Sequence, residues 1–478
     1  MSTFPDAGTF ALEPTAEQKG AMGEAVLSYL IEFLEGLPDA PASNLEGALE
    51  FARGLRERVP EQGATDFESL LGEVREAATY GFETAGPGYL AYIPGGGLFS
   101  AALGDFIATC VNRFVNLWNP APAFVQIEAT VIRWLCDLFD LPPESGGILT
   151  SGGSMANFSA IVTARRAKLP EDFLRGTIYA SGQTHASVAK AAMLAGFPAA
   201  NVRSVPTDAR LRIDPASLGE VIAKDRADGY QPCLLVANAG TTNTGAVDRI
   251  DELAEIAREE SLWFHADAAY GGFFQLTERG RAVFRGIERA DSITLDPHKA
   301  MFLPYGTGCL LVRDRARLRH AHQVEASYLQ DLAAEEEIPN FSDYSPELSR
   351  DFRGLRVWLP LKLHGLAAFR AALDEKLDLT RVLYEGLVET PGFELPWEPQ
   401  LTVVPFRYDP PAGDPEGFNR RLLERINASK RVFLSSTMID GRFTIRACIV
   451  SHRTHRDRIE EALDIIRRSA EELVEEGG

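Results

Sequence analysis

Short, nearly continuous apolar runs recur through the middle of the chain, separated by longer stretches in which apolar residues return every three or four positions. The runs are Gly147-Ile148-Leu149-Thr150, Thr177-Ile178-Tyr179-Ala180, Cys233-Leu234-Leu235-Val236-Ala237, Leu262-Trp263-Phe264-His265, Ser292-Ile293-Thr294-Leu295 and Cys309-Leu310-Leu311-Val312. A strand that is apolar on both faces must be covered on both, and intervening helices such as Ile250–Glu259 supply the cover. The pattern therefore predicts a mostly parallel central sheet in an α/β domain over residues 77–373.

The flanks follow other rhythms. In residues 1–76, Val26, Leu27, Leu30, Ile31 and Leu34 fall on one face of a helix, with Pro38, Pro41 and Pro60 as punctuation. Such a helical arm has too little core of its own, so it is expected to pack on another surface, such as a second subunit. Residues 374–478 read as a strand at 401–408, a helix at 417–428, a strand pair at 432–436 and 443–449, and a closing helix at 455–475. That order suits a small α+β domain.

Composition narrows the function. The chain of 478 residues carries 68 acidic and 48 basic side chains, a formal charge of −20, which repels nucleic acid and anionic membranes but tolerates a small zwitterion. No run approaches the roughly 20 apolar residues of a membrane span, and the N-terminus lacks a signal peptide's basic flank, so the expected compartment is the cytoplasm. Five scattered cysteines without a Cys-x-x-Cys pair indicate neither a disulfide framework nor a thiolate metal site. His265 with Asp267, and His452 with His455, lack the third ligand that would make a metal centre, and none is expected.

Candidate chemistry gathers where strands end. Thr150-Ser151-Gly152-Gly153-Ser154 runs from a strand into a helix, where backbone N–H groups and the helix N-terminus suit a phosphate; the same turn also serves as a plain strand-to-helix connection. His185 comes after the strand near Tyr179, either as a ring stacked on a flat ligand or as a helix cap. Asp267 ends another strand and is followed by the small Ala268 and Ala269; its plain reading is a structural ion pair. Lys299 precedes the apolar Ala300-Met301-Phe302-Leu303, a setting in which an amine shed of water is nucleophilic. A lysine and a carboxylate are the pair that pyridoxal 5′-phosphate (PLP) requires, one to hold the aldehyde and one to keep the pyridine nitrogen protonated.

Taken in order, Gly152-Gly153-Ser154, His185, His265-Ala266-Asp267-Ala268-Ala269-Tyr270 and Asp296-Pro297-His298-Lys299 resemble the PLP-dependent group II amino-acid decarboxylases, especially the aromatic-L-amino-acid decarboxylase branch. Tyr89-Leu90-Ala91-Tyr92-Ile93-Pro94, Trp118-Asn119-Pro120-Ala121-Pro122-Ala123 and Phe352-Arg353-Gly354-Leu355-Arg356-Val357-Trp358 extend the resemblance over nearly the whole chain.

The resemblance implies the fold-type I architecture (aspartate aminotransferase-like) and a homodimer with active sites at the interface. It makes Lys299 the Schiff-base lysine, Asp267 the pyridinium partner, His185 the stacking ring and Ala269 the support of the other ring face. Gly153 and Ser154 match the phosphate turn, His298 the histidine before the lysine, and Thr242 a threonine near the cofactor. Arg446 matches a small-domain arginine of undefined role. The proton donor of the last step is a loop tyrosine in the family, and the loop here is 328–350, with Tyr344 as the match if it is shortened and Phe341 if it is aligned without a gap. A phenylalanine there resembles the branch that releases an aldehyde. The implied reaction is decarboxylation of an aromatic L-amino acid to the amine. The alternatives are a smaller or acidic L-amino acid, suggested by Gly95-Gly96-Gly97 in place of bulkier residues, and oxidative release of an aldehyde. Trp118, Phe99 and Tyr92 are candidates for an aromatic lining.

Overall fold

The computed structural model describes residues 12–61, 66–324 and 339–477. Its centre is a seven-stranded sheet made of β1 (Gly146–Thr150), β2 (Gly176–Ser181), β3 (Val202–Val205), β4 (Gln231–Asn238), β5 (Trp263–Asp267), β6 (Ser292–Leu295) and β7 (Gly308–Val312). The spatial order is β1-β7-β6-β5-β4-β2-β3, with β7 antiparallel to both neighbours and the other pairs parallel. Every residue of β5, β6 and β7 is buried, which explains their unbroken apolar runs.

Six of these strands coincide with the apolar runs. The seventh, β3, is a sheet edge of sequence Val-Arg-Ser-Val, whose Arg203 pairs with Asp225 at 2.8 Å; its polar residues hide it from a search for apolar runs.

A second sheet of β8 (Phe393–Glu394), β9 (Val403–Tyr408), β10 (Ser435–Ile439) and β11 (Arg442–Cys448) is antiparallel, in the order β8-β9-β11-β10. Asp440 and Gly441 join β10 to β11 with φ values of 50° and 77°, the two left-handed positions of a type I′ hairpin turn. The strand pair expected at 432–436 begins three residues later, because Phe433 bridges to Tyr89 instead of entering the ladder. This sheet and the helices Pro415–Ala428 and Arg456–Glu475 enclose a second apolar core. The helix Gly354–Val388 runs from the first core to the second, interrupted at Gly365, whose φ of 73° leaves the helical region.

The N-terminal helix Ala16–Gly36 opens with a capping box between Thr15 and Gln18 and buries none of its residues. Leu27 and Ile31 remain 45% and 51% exposed.

Candidate active site

A cavity of about 280 Å³ lies at the carboxyl ends of β1, β4 and β5, where open α/β sheets hold their ligands. Gly153, Ser154, His185, Thr242, Asp267, Ala269, His298 and Lys299 all line it. Residues more than 140 positions apart in the chain meet there because each lies at the end of a strand of the same sheet or in the loop that follows it.

The phosphate side comes from β1. Its last residue leads through Ser151 and Gly152 into the helix Gly153–Lys168, which opens without a side-chain cap. Backbone N–H groups of an uncapped helix end are available to an anion. Close packing requires the glycines here: a Cβ on Gly153 would lie 2.9 Å from Asp296 Oδ2, and one on Gly308 would lie 2.5 Å from Gly152 backbone atoms.

The floor comes from β5 and β6. Side chains alternate along a strand, so Trp263, His265 and Asp267 share one face of β5, and the register sets His265 beside Ser292 and Asp267 beside Thr294. Helix Gly153–Lys168 covers that face and inserts Asn157. Trp263 Nε1 donates to Ser292 Oγ at 2.8 Å, and Ser292 Oγ lies 2.8 Å from His265 Nδ1. His265 Nε2 is 3.0 Å from Asn157 Oδ1, which also accepts from Thr294 Oγ1 at 2.7 Å. The Asn157 amide then donates to Asp267 Oδ2 at 3.0 Å, while Ala269 N–H reaches Asp267 Oδ1 at 3.2 Å. Burial pushes the His265 imidazole down to about 4 against the opposing pull of Asp267, so the ring is neutral and donates one hydrogen bond to Asn157.

His185 is the helix cap that its position suggested, and it also lines the cavity. It is the N-cap of helix Ala186–Leu194, with Nδ1 accepting from Ser187 N–H at 3.2 Å, and its ring lines the cavity.

Beyond β6, the short helix Pro297–Ala300 presents Lys299, whose Nζ is 2.9 Å from Asp296 Oδ2. The apolar surroundings expected for this lysine belong to its C-terminal neighbours: Ala300, Met301, Phe302 and Leu303 are buried, but the amine itself faces a carboxylate one helical turn back. Asp296 is 2% exposed, and its Oδ1 has no partner among the described residues. His298 Nδ1 donates to the Thr307 carbonyl at 2.7 Å, and burial holds that imidazole below the usual histidine range while Asp296 pulls the other way.

Other candidates lie elsewhere. Gly95 and Gly96 do not widen this cavity: a Cβ on Gly95 would fall 2.0 Å from the His298 carbonyl oxygen, and one on Gly96 would fall 2.7 Å from His452 Nδ1. Gly95 packs against the back of the lysine turn, and Gly96 against Ser451 and His452. Tyr92, Phe99 and Trp118 are outside the cavity lining.

Arg446 is held by oxygen atoms, donating to the carbonyls of Thr242 (2.7 Å), Asn243 (3.1 Å) and Tyr92 (2.9 Å) and to Ser435 Oγ (2.9 Å). It ties the small sheet to the Thr242 loop. Tyr344 and Phe341 line a different hollow, with Gly146 and Arg315 at the amino end of β1, and Phe341 is buried beneath the Arg350 guanidinium at 4.9 Å. Neither reaches the cavity of its own chain. Residues 325–338 of the proposed loop, including Tyr328 and Glu335-Glu336-Glu337, lie outside the described residues.

Asn157, Ser187 and Asp296 are cavity residues without a role in the sequence reading, although Asp296 stands in the segment Asp296-Pro297-His298-Lys299. A signal existed for the first, since Asn157 is a lone amide on a helix face otherwise made of Ala156, Ala160, Ile161 and Ala164.

The lining fits PLP: an uncapped helix end for the phosphate, an acceptor carboxylate held by two donors for the ring nitrogen, an imidazole and a methyl for the ring faces, and an amine for the aldehyde. Comparison with known proteins agrees. The model of the pyridoxal-dependent decarboxylase conserved domain matches residues 50–409. The aromatic-L-amino-acid decarboxylase of Bacillus atrophaeus is 36% identical over 468 residues, 97% of each chain, and tryptophan decarboxylase TDC1 of Camptotheca acuminata is 29% identical over 97% of this chain and 96% of its own. The crystal structure of Oryza sativa TDC with PLP and tryptamine superposes with a TM-score of 0.92 at 28% identity, covering 98% of this chain and all of that one. The chain thus belongs to the pyridoxal-dependent decarboxylases, in the aromatic branch of group II, and is an amino-acid decarboxylase with pyridoxal 5′-phosphate as its cofactor.

Proposed function

We propose that the enzyme converts an aromatic L-amino acid to its amine and CO2. The observation that carries the chemistry is the meeting of Lys299, Asp267 and an uncapped helix end in one cavity. The substrate class is supported by full-length similarity to decarboxylases named for aromatic substrates. When bound, PLP supplies an electron sink for the breaking bond between Cα and the carboxylate.

The protein does the rest. Lys299 is the residue that would hold the cofactor's aldehyde, its amine resting 2.9 Å from Asp296 Oδ2. Asp267, kept an acceptor by Asn157 and Ala269, holds the proton on the ring nitrogen. His185 and Ala269 would hold the ring, and the first turn of helix Gly153–Lys168, with Gly153 and Ser154, would hold the phosphate. Thr242, positioned through Arg446, borders the cofactor, and His298 steadies the turn that presents Lys299.

The active form is proposed to be a homodimer with its sites at the interface. Apolar side chains left exposed on the N-terminal arm and on helix Phe99–Val111, among them Ile31 and Phe106, support it. The cytoplasm is the proposed compartment: all five cysteines are unpaired, and among the described residues no helix is long and apolar enough to cross a membrane.

Purified protein incubated with PLP and L-tyrosine, L-DOPA, L-tryptophan, L-aspartate or L-glutamate should release CO2 and an amine in a one-to-one ratio, fastest with one of the aromatic substrates. Preference for aspartate or glutamate overturns the substrate class, and a keto acid without CO2 overturns the reaction. Tyr344 is proposed as the acid that protonates Cα. Since it is packed away from the cavity of its own chain, it would act in a neighbouring subunit or after loop rearrangement. For Tyr344→Phe in air-saturated buffer the expected product shifts from amine to aldehyde, with dissolved O2 as oxidant and ammonia and hydrogen peroxide as co-products, and unchanged amine output removes Tyr344 from the mechanism.

A further inference from the structure

The Asn157 side chain sits between two cofactor-facing groups that come from different strands. Its amide nitrogen donates to Asp267 Oδ2 at 3.0 Å and to Ser187 Oγ at 2.9 Å. Ser187 Oγ lies 2.8 Å from His185 Nδ1, and the Ser187 backbone N–H points at the same nitrogen at 3.2 Å. A backbone N–H has only a proton to give, so Nδ1 must be an acceptor and the ring carries its hydrogen on Nε2. Because the Ser187 oxygen accepts from Asn157, its own hydrogen is free to point at Nδ1 as well.

We infer that Asn157 and Ser187 are positioning residues that lock His185 as a ring with hydrogen on Nε2 and fix its place relative to Asp267. The stacking ring and the ring-nitrogen anchor are then one preassembled unit. His185 accordingly acts by stacking and by donating from Nε2, and does not carry protons during the reaction: Nε2 already holds one and Nδ1 faces two donors. This rests on the cofactor reading above and adds to it two residues with no assigned role.

The direction of the network is what makes it specific. Asn157 Oδ1 is occupied by Thr294 and His265, which leaves only the amide nitrogen to face Asp267 and Ser187. A carboxylate of the same shape at position 157 would reverse both contacts, setting an acceptor against Asp267 at about 3 Å.

The test titrates the cofactor-free enzyme with PLP, following the cofactor absorbance band, and measures kcat and KM with the preferred substrate. Asn157→Asp is expected to weaken PLP binding by about 30-fold or more and to shift the band through its effect on Asp267. Ser187→Ala removes one neutral hydrogen bond and should weaken PLP binding by about tenfold, with Ser187→Thr restoring most of it. The loss should fall on PLP affinity and kcat more than on KM, because Asn157 bonds to Asp267 and Ser187 to His185.

Should Asn157→Asp fail to fold, judged by its melting transition without PLP, the Ser187 pair decides the matter. PLP affinity and band position within twofold of the unmodified enzyme in Ser187→Ala overturn the inference. An unmodified enzyme that forms no PLP band overturns the cofactor reading instead.

Discussion

On the wall of the cavity that carries Asp267, donors and acceptors succeed one another without a break from Trp263 Nε1 through Ser292, His265 and Asn157 to Ser187 and His185. On the wall that carries Lys299, among the described residues, the amine has a single carboxylate partner, and the second oxygen of that carboxylate is buried without one. A completed buried network is rigid and costly to rearrange, whereas a buried orphan acceptor costs free energy until a donor meets it. The ring-nitrogen wall is therefore fixed by the fold alone. The lysine wall is left able to change partners, as an amine that must attach and release a cofactor requires.

The difference predicts unequal sensitivity. Asp267→Asn keeps the shape but removes the charge that holds the ring-nitrogen proton, and its amide sets a donor where an acceptor is needed. Activity should fall by about 10²–10³-fold, the scale of losing one aimed electrostatic contact in a site shielded from water. The measurement is kcat/KM alongside the PLP band. A loss under about tenfold contradicts the view of that wall as a fixed electrostatic element.

The same wall should make the fold sensitive to acid. His265 has its folded-state value pushed down to about 4 from an ordinary 6.5. Above pH 6.5 the ring is neutral both folded and unfolded, and its native contacts count in full. As pH falls from 6.5 toward 4 the unfolded chain takes up a proton that the folded ring refuses, so stability drops, by up to about 3 kcal/mol from this group. Urea unfolding at pH 7.5 and 4.5 checks it. His265→Gln, which does not titrate, is less stable than the unmodified protein at pH 7.5, and the gap should narrow by about 2 kcal/mol or more at pH 4.5. A constant gap contradicts a buried neutral histidine at the centre of the network.

How much of this could be read from the chain depends on how local each signal is. Asp267 and Lys299 sit in contiguous motifs at the ends of apolar strands, so strand pattern and chemistry point to the same positions. Asn157 and Ser187 acquire their meaning only from the register of β5 on β6 and from the helix laid across it, which no local window contains. The glycines at 95 and 96 mislead in a different way. A small residue signals either open space or close approach, and here the closeness of the His298 carbonyl and of His452 decides for the second. The edge strand β3 escapes because its polar residues erase the apolar run.

The smallest predicted effect is on the lysine wall, and it bears most directly on the contrast. Asp296→Asn preserves the size of the side chain and an oxygen within reach of Lys299 Nζ, so the contact at 2.9 Å survives as a hydrogen bond without its charge partner. The amide nitrogen stands where Asp296 Oδ1 has no partner among the described residues, so one buried polar atom stays unpaired in either protein and no larger cavity forms. The cost should be about fivefold to tenfold, close to one charge-assisted hydrogen bond replaced by a neutral one. It should appear in the rate at which added PLP forms a borohydride-reducible adduct with Lys299, more than in the equilibrium affinity for PLP. The ring-nitrogen wall is untouched by the substitution and should hold the cofactor as before. A fall in PLP affinity as large as that of Asp267→Asn would mean that both walls are equally fixed, with Asp296 part of the rigid scaffold and not a partner from which the lysine departs.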